Sequence, residues 1–260
     1  MSILRAKTIN LRKTRELTSS QKENSHLNET EAVKFKTTLE SFPRRFVFEL
    51  TNSCNLNCIM CGRNSANFKL ARFDISWLKI FDAVVHNVEE VTLMGWGEPT
   101  THPKFIDFLI WAHRNGLRKY FCTNGKLLKK LLNVIFDLEV DIIAVSLDGA
   151  NAETNERIRR GSDFNEIIRN IELVTSKRQK WPYINFVFTA MKSNISQLPE
   201  IVKLASDIGI DEVKVVYLTA FSKDMVDEIL LDHEPLVQDC FYQAEMVTEQ
   251  KRDIYSFGTH

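Results

Sequence analysis

From Phe42 onward, short runs of β-branched and aromatic residues alternate with amphipathic stretches, the pattern of repeated βα units around a parallel sheet. Six strands are predicted, at Arg45–Leu50, Glu90–Met94, Arg118–Cys122, Ile142–Leu147, Ile184–Met191 and Glu212–Leu218. Helix-compatible sequence follows each of them. The clearest helix covers Gln197–Asp207, where Leu198, Ile201, Val202, Ala205 and Ile208 recur at intervals of three and four. Gly209 stands where a C-cap glycine belongs, and Pro103, Asn115-Gly116 and Asn124-Gly125 supply breakers and turns. A closed barrel needs eight units, so six predict an α/β fold with a partial (βα)6 TIM-like barrel of parallel strands.

This barrel is expected over residues 42–230, with 231–260 forming a last helix near Asp232–Gln250 and either a tail or the start of a further C-terminal region. Residues 1–41 are polar, rich in Ser, Thr, Asn, Glu and Lys, and have few large apolar side chains to bury. They are expected to form a flexible or loosely helical extension.

The chain of 260 residues, 44% hydrophobic, suffices for one substantial core. Its 34 basic and 34 acidic residues cancel, leaving no overall field that favours nucleic acid or an anionic membrane. No apolar run approaches the roughly 20 residues needed to span a bilayer, and Arg5, Lys7, Arg12 and Lys13 interrupt any signal-peptide h-region. Five cysteines, an odd count, do not form a secreted disulfide scaffold. A cytoplasmic protein with no transmembrane segment and no nucleic-acid partner is therefore expected.

Candidate chemistry gathers at the carboxyl ends of the predicted strands, where parallel α/β folds place their ligand sites. The first strand runs into Cys54, Cys58 and Cys61, spaced C-x3-C-x2-C. Three thiolates are one fewer than a cubane iron–sulfur cluster uses, so one iron would stay open to a ligand. A zinc site and unrelated buried cysteines remain alternatives, although the second knuckle that zinc normally requires is absent: Cys122 and Cys240 are isolated, and His102 and His113 have no knuckle spacing.

The second strand ends in Gly95-Trp96-Gly97-Glu98-Pro99, the third in Thr123-Asn124-Gly125 and the fourth in Ser146-Leu147-Asp148-Gly149. Glycine permits close backbone approach to a ligand, and Glu98 is suited to a cationic group such as an α-ammonium. A tight turn with a solvated Glu98, a turn at Asn124-Gly125 and helix caps at Ser146 and Asp148 are the plainer readings.

The combination of Cys54-Asn55-Leu56-Asn57-Cys58-Ile59-Met60-Cys61 with the glycine-rich second-strand end resembles the radical S-adenosylmethionine (radical SAM) enzymes. The third and fourth strand ends resemble the branch containing the molybdenum-cofactor cyclase and the SPASM peptide maturases, without an evident C-terminal auxiliary-cluster region. The resemblance implies a [4Fe–4S] cluster on Cys54, Cys58 and Cys61, whose open iron binds S-adenosylmethionine. It implies that Glu98 and the backbone of Gly95 and Gly97 hold the methionyl ammonium, that Ser146 meets the methionyl or ribose region, and that Asn124 joins the cofactor site. Met60 stands where many members place an aromatic residue beside the adenine, and Trp96 replaces a more usual glycine. The activity implied is reductive cleavage of S-adenosylmethionine to a 5′-deoxyadenosyl radical that abstracts hydrogen from a small-molecule or peptide substrate, with a reductant such as flavodoxin or ferredoxin. A metal-stabilised binding module and a non-catalytic relative acting as scaffold are the competing classes. Thr189, Met191, Lys192, Asn194 and Tyr217 are weaker candidates for contacts to cofactor or substrate.

Overall fold

The computed structural model describes residues 16–64 and 69–256, with side chains described as far as residue 249. Its elements run α1 (Ser19–Val33), β1 (Arg45–Phe48), β2 (Glu90–Leu93), α2 (Phe105–Arg114), β3 (Arg118–Thr123), α3 (Leu128–Asp137), β4 (Ile142–Ser146), α4 (Ala152–Ile158), α5 (Phe164–Lys177), β5 (Tyr183–Ala190), α6 (Leu198–Asp207), β6 (Glu212–Tyr217) and α7 (Glu234–Ser256). All six strands pair in parallel in the order in which they occur along the chain. Consecutive parallel order has no reversal of direction across the sheet, so the helices line one face and the strands form the partial (βα)6 barrel that periodicity predicts.

Alternation along each strand sorts residues between two faces. Phe46, Phe48, Val91, Leu93, Phe121, Ile143, Val145, Ile184, Phe186 and Phe188 join the core against the helices. The helices answer with residues three and four apart, such as Leu128, Leu131 and Ile135 on α3 or Phe164, Ile167, Ile171 and Val174 on α5. On the opposite, lumenal face the amino-terminal end is charged. Glu90 Oε2 lies 2.7 Å from Arg118 Nε, and its Oε1 lies 3.7 Å from Arg45 and accepts from Thr92 Oγ1 at 3.1 Å. Glu90, Thr92 and Arg118 are buried and Arg45 is exposed, so this network sits at one end of the barrel and leaves the carboxyl ends of the strands as its rim.

The connection between β1 and β2 is not the α-helix expected after each strand. Among the described residues it contains 3-10 turns at Gly62–Asn64, Ile75–Phe81 and Val85–Asn87. Aromatic packing accounts for the compact path, with Phe73 5.2 Å from Phe48 and 5.3 Å from Phe108 between ring centroids. Three further sequence signals match local geometry. Gly116, Gly125 and Gly209 all have positive φ, at 65°, 83° and 77°.

The polar segment expected to be flexible or loosely helical forms a helix where it is described, and that helix docks on the barrel. Thr18 and Gln21 form a capping box at the start of α1. Gln21 Nε2 donates to Val88 O at 2.7 Å, and the Asn24 amide donates to Phe42 O and Asn87 O while accepting from Phe42 N at 2.8 Å. Docking through amides instead of apolar contacts is why composition alone read the segment as unpacked. The basic residues Arg5, Lys7, Arg12 and Lys13 lie outside the described residues. Substituting Asn24→Ala removes three part-buried hydrogen bonds to Phe42 and Asn87 and is expected to destabilise the fold by about 1–3 kcal/mol, measured as a shift in the midpoint of chemical denaturation at unchanged slope.

Candidate functional site

β1 delivers Thr51–Cys61 to the rim as an irregular loop whose backbone polar groups need partners from outside it. The α4–α5 junction supplies two of them. Asn57 N donates to Arg160 O and Ile59 N to Ile158 O, each at 2.9 Å. From β3, Asn124 Nδ2 donates to Asn55 Oδ1 at 2.7 Å. Leu56 is buried beneath the loop, and Arg63 donates to its carbonyl at 2.7 Å. Cys54, Cys58 and Cys61 are all half-buried free thiols on this one loop.

The second-strand end lies directly against the first. A Cβ on Gly97 would stand 2.1 Å from Thr51 O and 2.4 Å from Ser53 O, so only glycine allows this approach. Glu98 N then donates to Ser53 O at 2.9 Å. At Gly95 the neighbour is a side chain instead of backbone, with Glu49 Cγ 2.4 Å from the position a Cβ would take. Glu49 Oε1 accepts from Trp96 N at 2.6 Å. The Trp96 ring stands edge-on to Phe221, which follows β6, at 5.2 Å and 71°, and both rings lie over Gly62. The unusual residue at position 96 therefore ties the β2 end to the far side of the barrel.

Glu98 is 3% exposed. It is neither solvated nor open: Oε1 accepts from Thr100 N, Thr100 Oγ1 and Thr123 Oγ1, and Oε2 accepts from Asn124 N at 2.7 Å. Burial pushes its pKa above the ordinary carboxylate value, and these hydrogen bonds oppose that shift. Three of the four donors fall on Oε1 and one on Oε2. These bonds make Glu98 a brace between the β2 and β3 ends. Asn124 is likewise committed, its amide to Asn55 and to Lys126 N.

Asp148, read as a helix cap, is not one, since Asn151 caps α4. It is fully buried, with Oδ1 accepting from Thr189 N and Oδ2 2.7 Å from Arg159 Nε. Arg159 is 7% exposed, and its Nη1 lies 4.0 Å from Cys58 Sγ. Burial raises the Cys58 thiol to about 11 and also raises Cys54, while the Arg159 charge holds Cys58 down. Sequence reading missed Arg159, Asn55 and Glu49. Glu49 and Arg159 lie outside the motif, and Asn55, within it, is of a residue type with no chemistry of its own to mark it.

Met60 and Ser146 are half-buried at the same rim. The weaker candidates divide. Asn194 is fully buried and bonds Asp148 O, Thr189 O and Met191 N, which makes it structural. Met191 is buried, Lys192 is exposed and Tyr217 is exposed. Cys240 is buried in α7, and Cys122 sits on β3 away from the triplet with its thiol raised to about 11 by burial. Among the described residues, no three His, Cys, Asp or Glu side chains converge as a single metal ion requires. No helix among them is long and apolar enough to cross a membrane.

The family model described as Radical SAM superfamily matches residues 48–205. The AdoMet-dependent heme synthase of Methanosarcina barkeri is 30% identical over 210 residues, 78% of this chain and 59% of that protein. The Pyrococcus furiosus tungsten-containing aldehyde ferredoxin oxidoreductase cofactor-modifying protein is 27% identical over 74% of this chain and 58% of its own length. Streptococcus suis SuiB, solved bound to S-adenosylmethionine, superposes with a TM-score of 0.68 at 20% identity, covering 94% of this chain and 58% of that one. At that identity the likeness establishes the fold. The chain spans less than two thirds of the length of these relatives.

The Asp148–Arg159 pair yields a direct test. Substituting Arg159→Leu leaves a buried, unpaired carboxylate and is expected to cost about 3–5 kcal/mol, whereas adding Asp148→Asn removes the stranded charge and restores much of that loss. Denaturation of the single and double variants measures both effects.

Proposed function

The chain belongs to the radical SAM superfamily, and from that premise we propose that it is an enzyme that reductively cleaves S-adenosylmethionine at a [4Fe–4S] cluster. The observation that carries the reading is the rim itself. Three free thiols on one braced loop face a glycine-rich strand end that only residues without a Cβ allow to come so close. The donor set fits a cubane better than a single ion. Three free thiols on one loop would supply the cluster's protein ligands, one short of a full set.

When bound by these residues, cluster and cofactor would together supply one-electron cleavage of the sulfonium carbon–sulfur bond, and so the radical that abstracts hydrogen from the substrate. The protein's part is to bind, orient and exclude water. Cys54, Cys58 and Cys61 are the proposed thiolate ligands. Arg159, held by Asp148, offsets negative charge at Cys58 and eases the loss of a thiol proton that burial resists. The backbone of Gly95 and Gly97, the thioether of Met60 and the hydroxyl of Ser146 are the proposed contacts to S-adenosylmethionine, while buried Leu56 closes the site from below.

The reading assigns residues 42–230 to the catalytic barrel and 231–260 to a terminal helix and tail. Substrate is proposed to enter the open rim. A peptide fits the precedent of SuiB, which has been solved bound to the precursor peptide SuiA, and a nucleotide fits that of the probable GTP 3′,8-cyclase of Sulfurisphaera tokodaii, 28% identical over 173 residues. A flavodoxin- or ferredoxin-like reductant would supply the electron. Five free thiols support a reducing, cytoplasmic setting.

Anaerobic reconstitution tests the proposal. The protein is expected to take up about four iron and four sulfide per chain and to release 5′-deoxyadenosine when S-adenosylmethionine and dithionite are added. Alanine at Cys54, Cys58 or Cys61 should abolish both, and stoichiometric zinc in place of iron would refute the assignment.

A further inference from the structure

An electron destined for the cysteine loop has to arrive where that loop meets solvent. It does so along an outer edge at Asn55 and Asn57, which are exposed on either side of buried Leu56. Between Thr51 and Asn64 the only charged residue is Arg63, so the segments that brace the loop set the charge of this edge. Each brace brings a cation. Asn52 Nδ2 donates to the carbonyl of exposed Lys69 at 2.7 Å, and Thr51 pairs with exposed Arg72. Arg63 Nη2 donates to Leu56 O at 2.7 Å. On the other side, Asn57 N donates to the carbonyl of exposed Arg160 at 2.9 Å, and Lys126 Nζ donates to the next carbonyl, Gly161 O, at 2.7 Å.

Fewer carboxylates oppose these cations, and each is engaged. Asp74, Glu156 and Asp163, which neighbour Arg72 and Arg160 in sequence, accept from the backbone N–H of Ser76, Phe164 and Glu166 respectively. Asp148 and Arg159 neutralise one another in the interior. A chain whose 34 basic and 34 acidic residues balance overall thus carries a local excess of positive charge around the loop that holds the cysteine triplet. Exposed charge of this kind contributes little to stability, but it raises the rate of encounter with a partner of opposite sign and orients that partner on approach.

We propose that this edge is the docking surface for a small acidic electron-carrier protein, with Lys69, Arg72, Lys126 and Arg160 as steering charges around a neutral centre at Asn55 and Asn57. This rests on the functional reading above and names the face through which that site receives its electron. A carrier holding an anionic flavin hydroquinone would give up one electron to the oxidised cluster and leave as the neutral semiquinone, with no proton exchanged.

The test begins with binding, without turnover. Calorimetry of oxidised flavodoxin against the anaerobically reconstituted protein is expected to show an affinity that falls steeply with salt. A variant carrying both Lys69→Glu and Arg160→Glu should bind roughly ten- to a hundredfold more weakly, with a flattened salt dependence. Release of 5′-deoxyadenosine driven by reduced flavodoxin should lose kcat/KM in proportion. Release driven by saturating dithionite, which needs no docked complex, should stay at the wild-type value together with iron content and melting temperature. Lys203→Glu, a charge reversal on the exposed side of α6, should leave every value unchanged. If the double variant binds flavodoxin as tightly as wild type, or if Lys203→Glu weakens binding equally, the carrier docks elsewhere and the inference falls alone. Wild-type protein that responds to dithionite but neither binds nor is reduced by flavodoxin overturns it in the same way. Wild-type protein that releases no 5′-deoxyadenosine with either reductant overturns the functional reading, and this inference with it.

Discussion

A carboxylate buried to the depth of Glu98 is stable only when its lone pairs are answered, and that requirement organises the rim. The donors that answer it come from both the β2 and β3 ends: Thr100 on one side, Thr123 and the Asn124 backbone on the other. Once Asn124 is fixed in this way, its side-chain amide reaches Asn55 and sets the height of the cysteine loop. Gly97, next to Glu98 in the chain, lets the same strand end rest on the Thr51 and Ser53 carbonyls. Three loops thus take their relative positions from one buried charge.

A second buried charge performs the corresponding task on the other side of the loop. Asp148 holds Arg159, and the segment around Arg159 supplies the carbonyls of Ile158 and Arg160 to the cysteine loop. Buried ion pairs contribute little net stability, because desolvation consumes most of the Coulombic gain. What this pair does provide is a guanidinium fixed 4.0 Å from Cys58 Sγ, where thiolate charge has to be tolerated. Positioning, more than stability, accounts for its presence.

The two faces of the sheet explain why a small barrel tolerates so many polar groups at one end. Apolar residues of every strand pack outward against the helices, so folding does not depend on filling the lumen with hydrocarbon. The lumen is free to carry the Arg45, Glu90 and Arg118 network at one end and exposed chemistry at the other. The Trp96–Phe221 contact spans the side where a complete barrel would have further strands.

What the sequence determined by itself is what short-range pattern encodes. Strand periodicity gave six parallel units, glycines marked the positive-φ turns at 116, 125 and 209, and the cysteine spacing with the second-strand glycines gave the family. Three kinds of fact needed the tertiary structure. Composition cannot reveal amide-mediated docking, so α1 read as a loose tail although Gln21 and Asn24 tie it to the barrel. Helix propensity did not foresee the aromatic packing that turned the β1–β2 connection into 3-10 turns. Most consequentially, the motif identified Glu98 but not its partners. The donors that hold this carboxylate come from strands that only folding brings together.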